Sequence, residues 1–210
     1  MDGLPFSVEE VTVSHVVVAG GQQRALNIQI NPEAIVKAFS PYGVGVFVPV
    51  PNGFIVQMGP TNQLLFQPPR IEFKAATDDI LRALYRNSQP TVLEPLMTDT
   101  AQAFGVNFEV HVSFPNLKPG ELLAKLATGF LKHVAITRIG FRRQGEAPGI
   151  QMNYDLHLDG EQLVMVINRH MEGPWRQCIG EAELLHEVTT ARQEYRKFIG
   201  ELLESTQTQN

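Results

Sequence analysis

Two halves of the chain show the same order of predicted elements, and this order limits the fold more than any other feature. In each half a strand precedes a helix, and three further strands precede a second helix, which gives β-α-β-β-β-α. The later strands of each half are separated only by short turns, which favour antiparallel pairing. The order predicts an α+β fold with a mainly antiparallel sheet, divided into residues 1–95 and 96–204, with a disordered tail over 205–210.

The first half begins with a valine-rich strand and contains two capped helices. Asn31 and Thr77 are suited to cap them, since their side-chain oxygens can accept from backbone amides of a first turn. Pro68-Pro69 lacks two backbone donors, which predicts an edge or an interruption in the third strand after the first helix. The predicted elements are strands Val8–Ala19 and Ala25–Ile30, helix Pro32–Phe39, strands Val44–Val50, Phe54–Met58 and Leu64–Phe66 (resuming at Ile71–Phe73), and helix Asp78–Arg86.

The second half ends in a long amphipathic helix. Its apolar residues recur every three to four positions, so we expect one stripe to pack on the sheet or on a second subunit. Arg192, Glu194, Arg196 and Glu201 are expected to be exposed. The predicted elements are strand Gly105–Phe114, helix Gly120–Lys132, strands Ala135–Arg143, Gln151–Leu158 and Leu163–Arg169, and helix Glu183–Leu203. The predicted core comprises Val106, Phe108, Val110, Ile136, Ile139, Leu156, Leu158, Val164, Val166, Leu184, Val188, Tyr195, Phe198 and Leu202.

The charge and cysteine content narrow the function classes. Residues 1–95 carry 6 basic and 8 acidic side chains and residues 96–210 carry 11 and 14, so both halves are mildly acidic and nucleic-acid binding is disfavoured. A single cysteine, Cys178, excludes an intrachain disulfide and fits a reducing compartment. Residues 1–10 do not look like a signal peptide, and no apolar run approaches a bilayer span. We therefore expect a cytoplasmic protein without membrane contact.

One strand carries three residues that could bind a metal. Period-2 alternation places Asp155, His157 and Asp159 on one face. A solvated strand face beside the Asp159-Gly160 turn explains them better, because such faces are routine in antiparallel sheets. Local motifs for phosphate binding, dinucleotide binding, zinc or a serine nucleophile are absent from the sequence. We predict no cofactor, metal or catalytic residue.

A basic constellation spans two strands of the second half. Arg138, Arg142 and Arg143 lie on one strand, and Arg169, His170 and Arg176 lie at or beyond the end of another. Together they could form a positive patch for carboxylate or phosphate groups, although pairing with acids such as Glu172 is the simpler interpretation. Trp175 lies on a predicted loop and is either an interface anchor or a plug on the core. The candidate ligand or partner residues are Arg138, Arg142, His157, Arg169, His170 and Trp175.

The element order resembles two known folds. One is the duplicated fold of the TATA-box-binding protein, and the other is the helix-grip fold of lipid-transfer proteins, which also ends in a long helix like Glu183–Leu203. The resemblance covers most of the chain, rests on element order alone, and implies a curved antiparallel sheet gripping a helix. The acidic charge departs from the DNA-binding family, so that function is not carried over.

Three functions remain open. The first is a non-enzymatic binding or adaptor protein that acts through a protein partner or through homo-oligomers, because β-rich halves offer edge strands. The second is a small-molecule carrier or enzyme with a cavity between the sheet and Glu183–Leu203. The third, nucleic-acid binding, rests only on the resemblance.

Overall fold

The nine strands described in the computed structural model join in one sheet, and the described helices follow the boundaries set by capping and turn residues. The structure describes residues 6–20, 32–42, 45–67, 69–88, 100–115, 117–127, 138–145, 148–175 and 180–207. The strands are β1 (Ser7–Gly20), β2 (Gly45–Val50), β3 (Gly53–Met58), β4 (Asn62–Gln67), β5 (Arg70–Ala75), β6 (Thr100–Ser113), β7 (Arg138–Gln144), β8 (Ile150–Asp159) and β9 (Gln162–Trp175). The α-helices are α1 (Pro32–Phe39), α2 (Asp78–Ser88), α3 (Pro119–Ala127) and α4 (Glu181–Gln207), and a 3-10 turn covers Ser40–Tyr42.

The sheet is continuous across both halves of the chain. Its strand order is β2-β3-β4-β5-β1-β6-β9-β8-β7, and every pair of neighbours is antiparallel. In each half the first strand pairs with the last, and the two first strands, β1 and β6, pair with each other at the centre. The predicted α+β class, the antiparallel sheet and the long C-terminal helix are therefore confirmed.

The core lies on one face of the sheet, beneath the helices. Val106, Phe108 and Val110 of β6 contribute to it together with Leu84 of α2 and Tyr195 of α4. Because α4 reaches from α2 to the outermost strand β7, where Phe141 meets Phe198, it ties the two halves together. The amphipathic stripe predicted for this helix is buried as expected at Leu184, Val188, Tyr195, Phe198 and Leu202.

The last strand predicted for the first half differs in the structure. The segment expected to be a single interrupted strand forms two strands, β4 and β5, which pair from Gln63 opposite Lys74 to Gln67 opposite Arg70. The chain thus reverses between Gln67 and Arg70, where an interruption was predicted, and the described elements of this half have the order β-α-β-β-β-β-α. The predicted strand Ala25–Ile30 and the cap Asn31 lie outside the described residues, whereas the Thr77 cap is confirmed by its side-chain oxygen, which accepts from the Ile80 amide at 3.3 Å.

The register of β9 corrects the predicted core. Leu163, Met165 and Ile167 face the helices, whereas Val166 is 37% exposed on the other face and Val164, although buried, lies on that face too. The sequence LVMVI is apolar at every position, so alternation alone does not distinguish its two faces. Met165 pairs with the core residues Val110 and Leu156, and this pairing determines which face of β9 points to the core.

Two ends also differ from the prediction. Strand β9 continues to Trp175, whose backbone pairs with Ala101, so Trp175 ends a strand and does not lie on a loop. Helix α4 continues to Gln207, so Ser205–Gln207 belongs to a helix and not to a tail. Ile136 of the predicted core lies outside the described residues.

Tight turns set the register of the outer strands. Asn52 has a φ of 61°, which its short polar side chain tolerates, and it leads into Gly53 at the start of β3. A Cβ at Gly53 would lie 1.9 Å from the backbone oxygen of Phe66, so only glycine fits there. The predicted Asp159-Gly160 hairpin also forms, with Asp159 opposite Gln162 and Gly160 at φ 59°.

Within the ranges described above, no helix has the length and apolar content required to cross a membrane.

Candidate binding surface

The face of the sheet opposite the core is the candidate binding surface. The four described helices all contribute side chains to the core on the other side. We call the core side the helix face and the opposite side the open face. Two of the three exposed large hydrophobic residues on this surface, Val46 and Val48, lie at its β2 end.

A straight row of mostly polar side chains crosses the open face. The residues lie directly opposite one another on successive strands, so the row includes every strand of the sheet. We call it the cross-sheet row, and from β2 to β7 it consists of Val46, Gln57, Gln63, Lys74, Ser14, Asn107, Asn168, Asn153 and Arg142.

Hydrogen bonds connect the second half of the cross-sheet row. The Nε of Arg142 donates to Oδ1 of Asn153 at 2.9 Å, and Nδ2 of Asn153 donates to Oδ1 of Asn168 at 3.2 Å. Asn168 donates in the same way to Asn107, whose Nδ2 donates to Oγ of Ser14 at 3.1 Å. All of these bonds run in one direction, away from the guanidinium charge, so they polarise one another and hold the carboxamides in fixed orientations.

Ion pairs on the open face largely neutralise its charges. Arg138 binds Asp155, and this pairing raises the pKa of the Arg138 guanidinium through the hydrogen bond and the nearby negative charge. The Nζ of Lys74 lies 3.6 Å from Glu109, and Arg70 lies 2.6 Å from Glu72. The predicted pairing of basic groups with neighbouring acids therefore accounts for most cations of this face.

The other candidate residues of the open face are histidines. The Nε2 of His170 lies 4.0 Å from Glu172, the acid expected to pair near it. His157 lies opposite Arg138, and its buried Nδ1 makes no hydrogen bond to a described residue. Although Asp155 and His157 share a face as predicted, no group of three metal-binding side chains occurs in the part of the chain that the structure describes.

Arg169 departs from the predicted basic patch. It lies on the helix face and is only 4% exposed, where Nε binds Glu194 at 3.0 Å and Nη1 binds Glu187. Arg143 also lies on that face and binds Glu201 at 2.6 Å. Alternation along β7 and β9 therefore divides the predicted cations between the two faces, and they do not form one patch. Arg176 and Cys178 lie outside the described residues, as does the side chain of Trp175.

A second charged cluster connects the middle of α4 to β1 and α2. A register shift between Glu10 and Thr12 places Glu10 opposite Val110 on the helix face. Arg192 binds Glu10 at 2.6 Å and Asp78 at 2.8 Å, and these bonds raise the pKa of its guanidinium. The hydroxyl of Tyr195 also donates to Glu10. Arg192 and Glu194 are therefore not exposed as predicted, because their charges pair with groups on the sheet.

A cleft lies beside this cluster, where the sheet meets α2 and α4. Its volume is about 460 Å³, and its lining includes Glu10, Asp78, Asp79 and Arg192. The described surface thus contains a concavity between the sheet and the C-terminal helix, as the small-molecule hypothesis requires.

One histidine lies in the core of the helix face. His15 is fully buried between Phe73 and Phe104, and its ring meets Tyr85 edge-on at 5.3 Å. Its Nδ1 donates to the backbone oxygen of Gly105 at 3.1 Å, whereas Nε2 makes no hydrogen bond to any described residue. Burial lowers the pKa of His15 to about 4, so the ring is neutral at pH 7.

The cross-sheet row was missed by the sequence analysis. Asn107, Asn153 and Asn168 each lie on a predicted strand, and a search for asparagines at polar positions would have found them individually. Their alignment depends on the registers of two strand pairs, β6 with β9 and β9 with β8, which the sequence pattern does not supply.

No family model matches the chain. No curated protein matches it either.

Proposed function

We propose that this protein is a binding or adaptor protein that contacts a protein partner through the open face of its sheet. The observation that carries the proposal is the cross-sheet row, which presents oriented carboxamides in the middle of a face that no described helix covers. The proposal does not depend on the resemblance to saddle-shaped or helix-grip folds, which stays a prediction.

The chemistry of the row suits a polypeptide. Each of Asn107, Asn153 and Asn168 uses one N–H and one oxygen lone pair within the row. A carboxamide has two N–H donors and two acceptor lone pairs, so each asparagine retains one of each. A peptide group needs the same pair, and fixed carboxamides lose little side-chain entropy when they bind one.

The charge balance of the open face favours a protein over a nucleic acid. Binding to phosphates requires cations that can exchange counterions for phosphate contacts. On this face Arg138, Lys74 and Arg70 are already engaged with carboxylates. Polar and apolar residues side by side, such as Asn168 beside the 37% exposed Val166, are typical of protein interfaces.

The test compares two single variants for binding to a partner isolated from the host. Asn168→Arg places a bulky charge in the middle of the cross-sheet row, and we expect it to weaken the partner's affinity at least about tenfold, which corresponds to about 1.4 kcal/mol. Lys197→Glu is the matched control, because Lys197 is exposed on α4. Affinity is measured by calorimetry after the folded state is checked by circular dichroism. Equal affinity of both variants would contradict the open face as the binding surface.

The cleft between the sheet, α2 and α4 favours a second candidate, a small-molecule binding protein. Its lining contains three acidic side chains and one arginine, so a ligand bearing a positive charge suits it. Native mass spectrometry of gently purified protein, followed by thermal shift with amines, tests this candidate. Asp79→Asn should reduce the shift and Asp159→Asn, distant at the β8 hairpin, should not. No co-purifying ligand and no shift would remove this candidate.

A further inference from the structure

The edge strand β2 differs from the opposite edge strand, β7, in having no charged residue. It is the first strand in the sheet order, so among the described elements only β3 pairs with it. Its sequence, GVFVPV, contains no charged residue, and Val46 and Val48 are 56% and 39% exposed. An apolar edge with unpaired backbone groups is a template for another strand, and Pro49 removes only one of the outward donors of β2.

The pairing with β3 indicates which backbone groups of β2 point outward. Val50 and Gly53 flank a two-residue turn and so form a hydrogen-bonded pair, after which hydrogen-bonded and non-hydrogen-bonded pairs alternate. Pro49, opposite Phe54, occupies a non-hydrogen-bonded position, consistent with its missing N–H. The backbone groups of Gly45, Phe47 and Pro49 therefore point away from the sheet.

We propose that β2 pairs antiparallel with β2 of a second copy of this chain, about a twofold axis at Phe47. Centred there, the Phe47 residues of the two copies exchange two hydrogen bonds, and each Gly45 amide donates to the Pro49 carbonyl of the other copy. Centring on Val48 instead would set Phe47 opposite Pro49, which lacks an N–H, and would halve these bonds. A register centred on Val46 would form as many backbone bonds, but only the Phe47 register sets Val46 opposite Val48.

The side chains of β2 favour a second copy over a charged strand from another protein. In the Phe47 register, Val46 of each copy lies opposite Val48 of the other on the open face, so the two most exposed valines cover each other. Two uncharged strands meet without repulsion, and cross-strand pairs of β-branched residues stabilise sheets. This dimer uses the edge of the sheet and does not depend on the protein-binding role proposed for the open face.

Analytical ultracentrifugation over a concentration series tests the dimer. A six-residue edge contact is small, so we expect a reversible dimer with a Kd on the order of 1–100 µM. Val46→Lys and Val48→Glu should each raise this Kd at least about tenfold, because each places a charge opposite a valine. Val166→Lys, an exposed valine on the interior strand β9, is the matched control and should leave the Kd unchanged.

A charge-pair rescue tests the register. The double variant V46K/V48E places lysine opposite glutamate twice in the Phe47 register, so the dimer should return to within about threefold of the wild-type Kd. A register centred on Val48 would place glutamate opposite glutamate and give no rescue. A wild-type protein that is monomeric at 500 µM, roughly five times the upper estimate, a dimer insensitive to both single variants, or failure of the rescue would each overturn the proposal.

A monomer that still binds a partner through the open face would overturn the dimer alone. If the protein dimerises but Asn168→Arg leaves its affinity for the partner unchanged, only the proposed function is contradicted.

Discussion

Asn168 and Arg169 are neighbours on β9, yet they lie in opposite environments. Asn168 belongs to the cross-sheet row on the open face, where its bonds are to other uncharged side chains. Arg169 is 4% exposed beneath α4, between Glu187 and Glu194. On the helix face a polar residue such as Arg169 forms a buried connection between elements, whereas the asparagines of the open face stay partly exposed in a fixed array. One strand thus serves stability on one side and, in the function proposed above, recognition on the other.

Removing an aromatic ring from the helix face should produce the largest effect. Phe198 is 5% exposed and stacks on Tyr154 with ring centroids 3.9 Å apart. Phe198→Ala leaves a cavity beneath α4 and should lower the free energy of unfolding by about 3–5 kcal/mol. Urea denaturation measures this change. A loss of dimer without a loss of stability would show that α4 packs on another subunit and would break the contrast between the faces.

The two faces can be compared directly by replacing one arginine on each of them and measuring the loss of stability. Arg169→Ala leaves two glutamates without their cation in a buried site and should cost about 3 kcal/mol or more. Arg142→Ala removes an exposed residue at the end of the cross-sheet row and should cost less than about 1 kcal/mol. Chemical denaturation of both variants at the same salt concentration measures the difference. Similar losses in the two variants would mean that the faces do not differ energetically.

The pH dependence of stability tests the histidine of the helix face. The pKa of His15 is about 4 in the folded protein and about 6.5 when unfolded, so the unfolded chain binds more protons below pH 6.5. Its contribution is complete above pH 6.5 and declines as the pH falls toward 4, by roughly 3 kcal/mol in all. Unfolding curves at several pH values measure this slope.

His15→Phe should make the free energy of unfolding less dependent on pH between 6.5 and 4 than in wild type. The ring between Phe73 and Phe104 then does not titrate. His111→Gln on the open face serves as the control and should retain the slope. Equal slopes in wild type and His15→Phe would show that carboxylates, not this histidine, govern the acid response.

Local sequence signals predicted the helices and strands well, but they did not predict the face of the sheet on which each side chain lies. The bounds of α1 agree at both ends, and those of β2 and β3 agree within one residue. Turn and capping residues carry these signals, since Asn52, Thr77 and Gly160 act through groups a few residues away. The division of Leu64–Phe73 into β4 and β5 was missed, because a proline pair marks a break without saying whether the chain reverses.

The candidate site shows the same limit. Arg138 and Arg142 were predicted as surface residues and lie on the open face, but Arg169 was grouped with them and lies on the other side. Period-2 alternation relates residues within a strand and says nothing about which face of one strand matches which face of the next.

By itself the sequence determined the α+β class, the antiparallel pairing of neighbouring strands and the amphipathic stripe of α4, because each depends on patterns within a few turns or one hairpin. Only the tertiary structure decided the order of nine strands, the alignment of Asn107, Asn153 and Asn168, and the burial of Arg169 and Arg192. These features depend on partners distant in the chain, such as Glu10 and Arg192. Such pairs form only after the sheet register and the helix packing have brought them together.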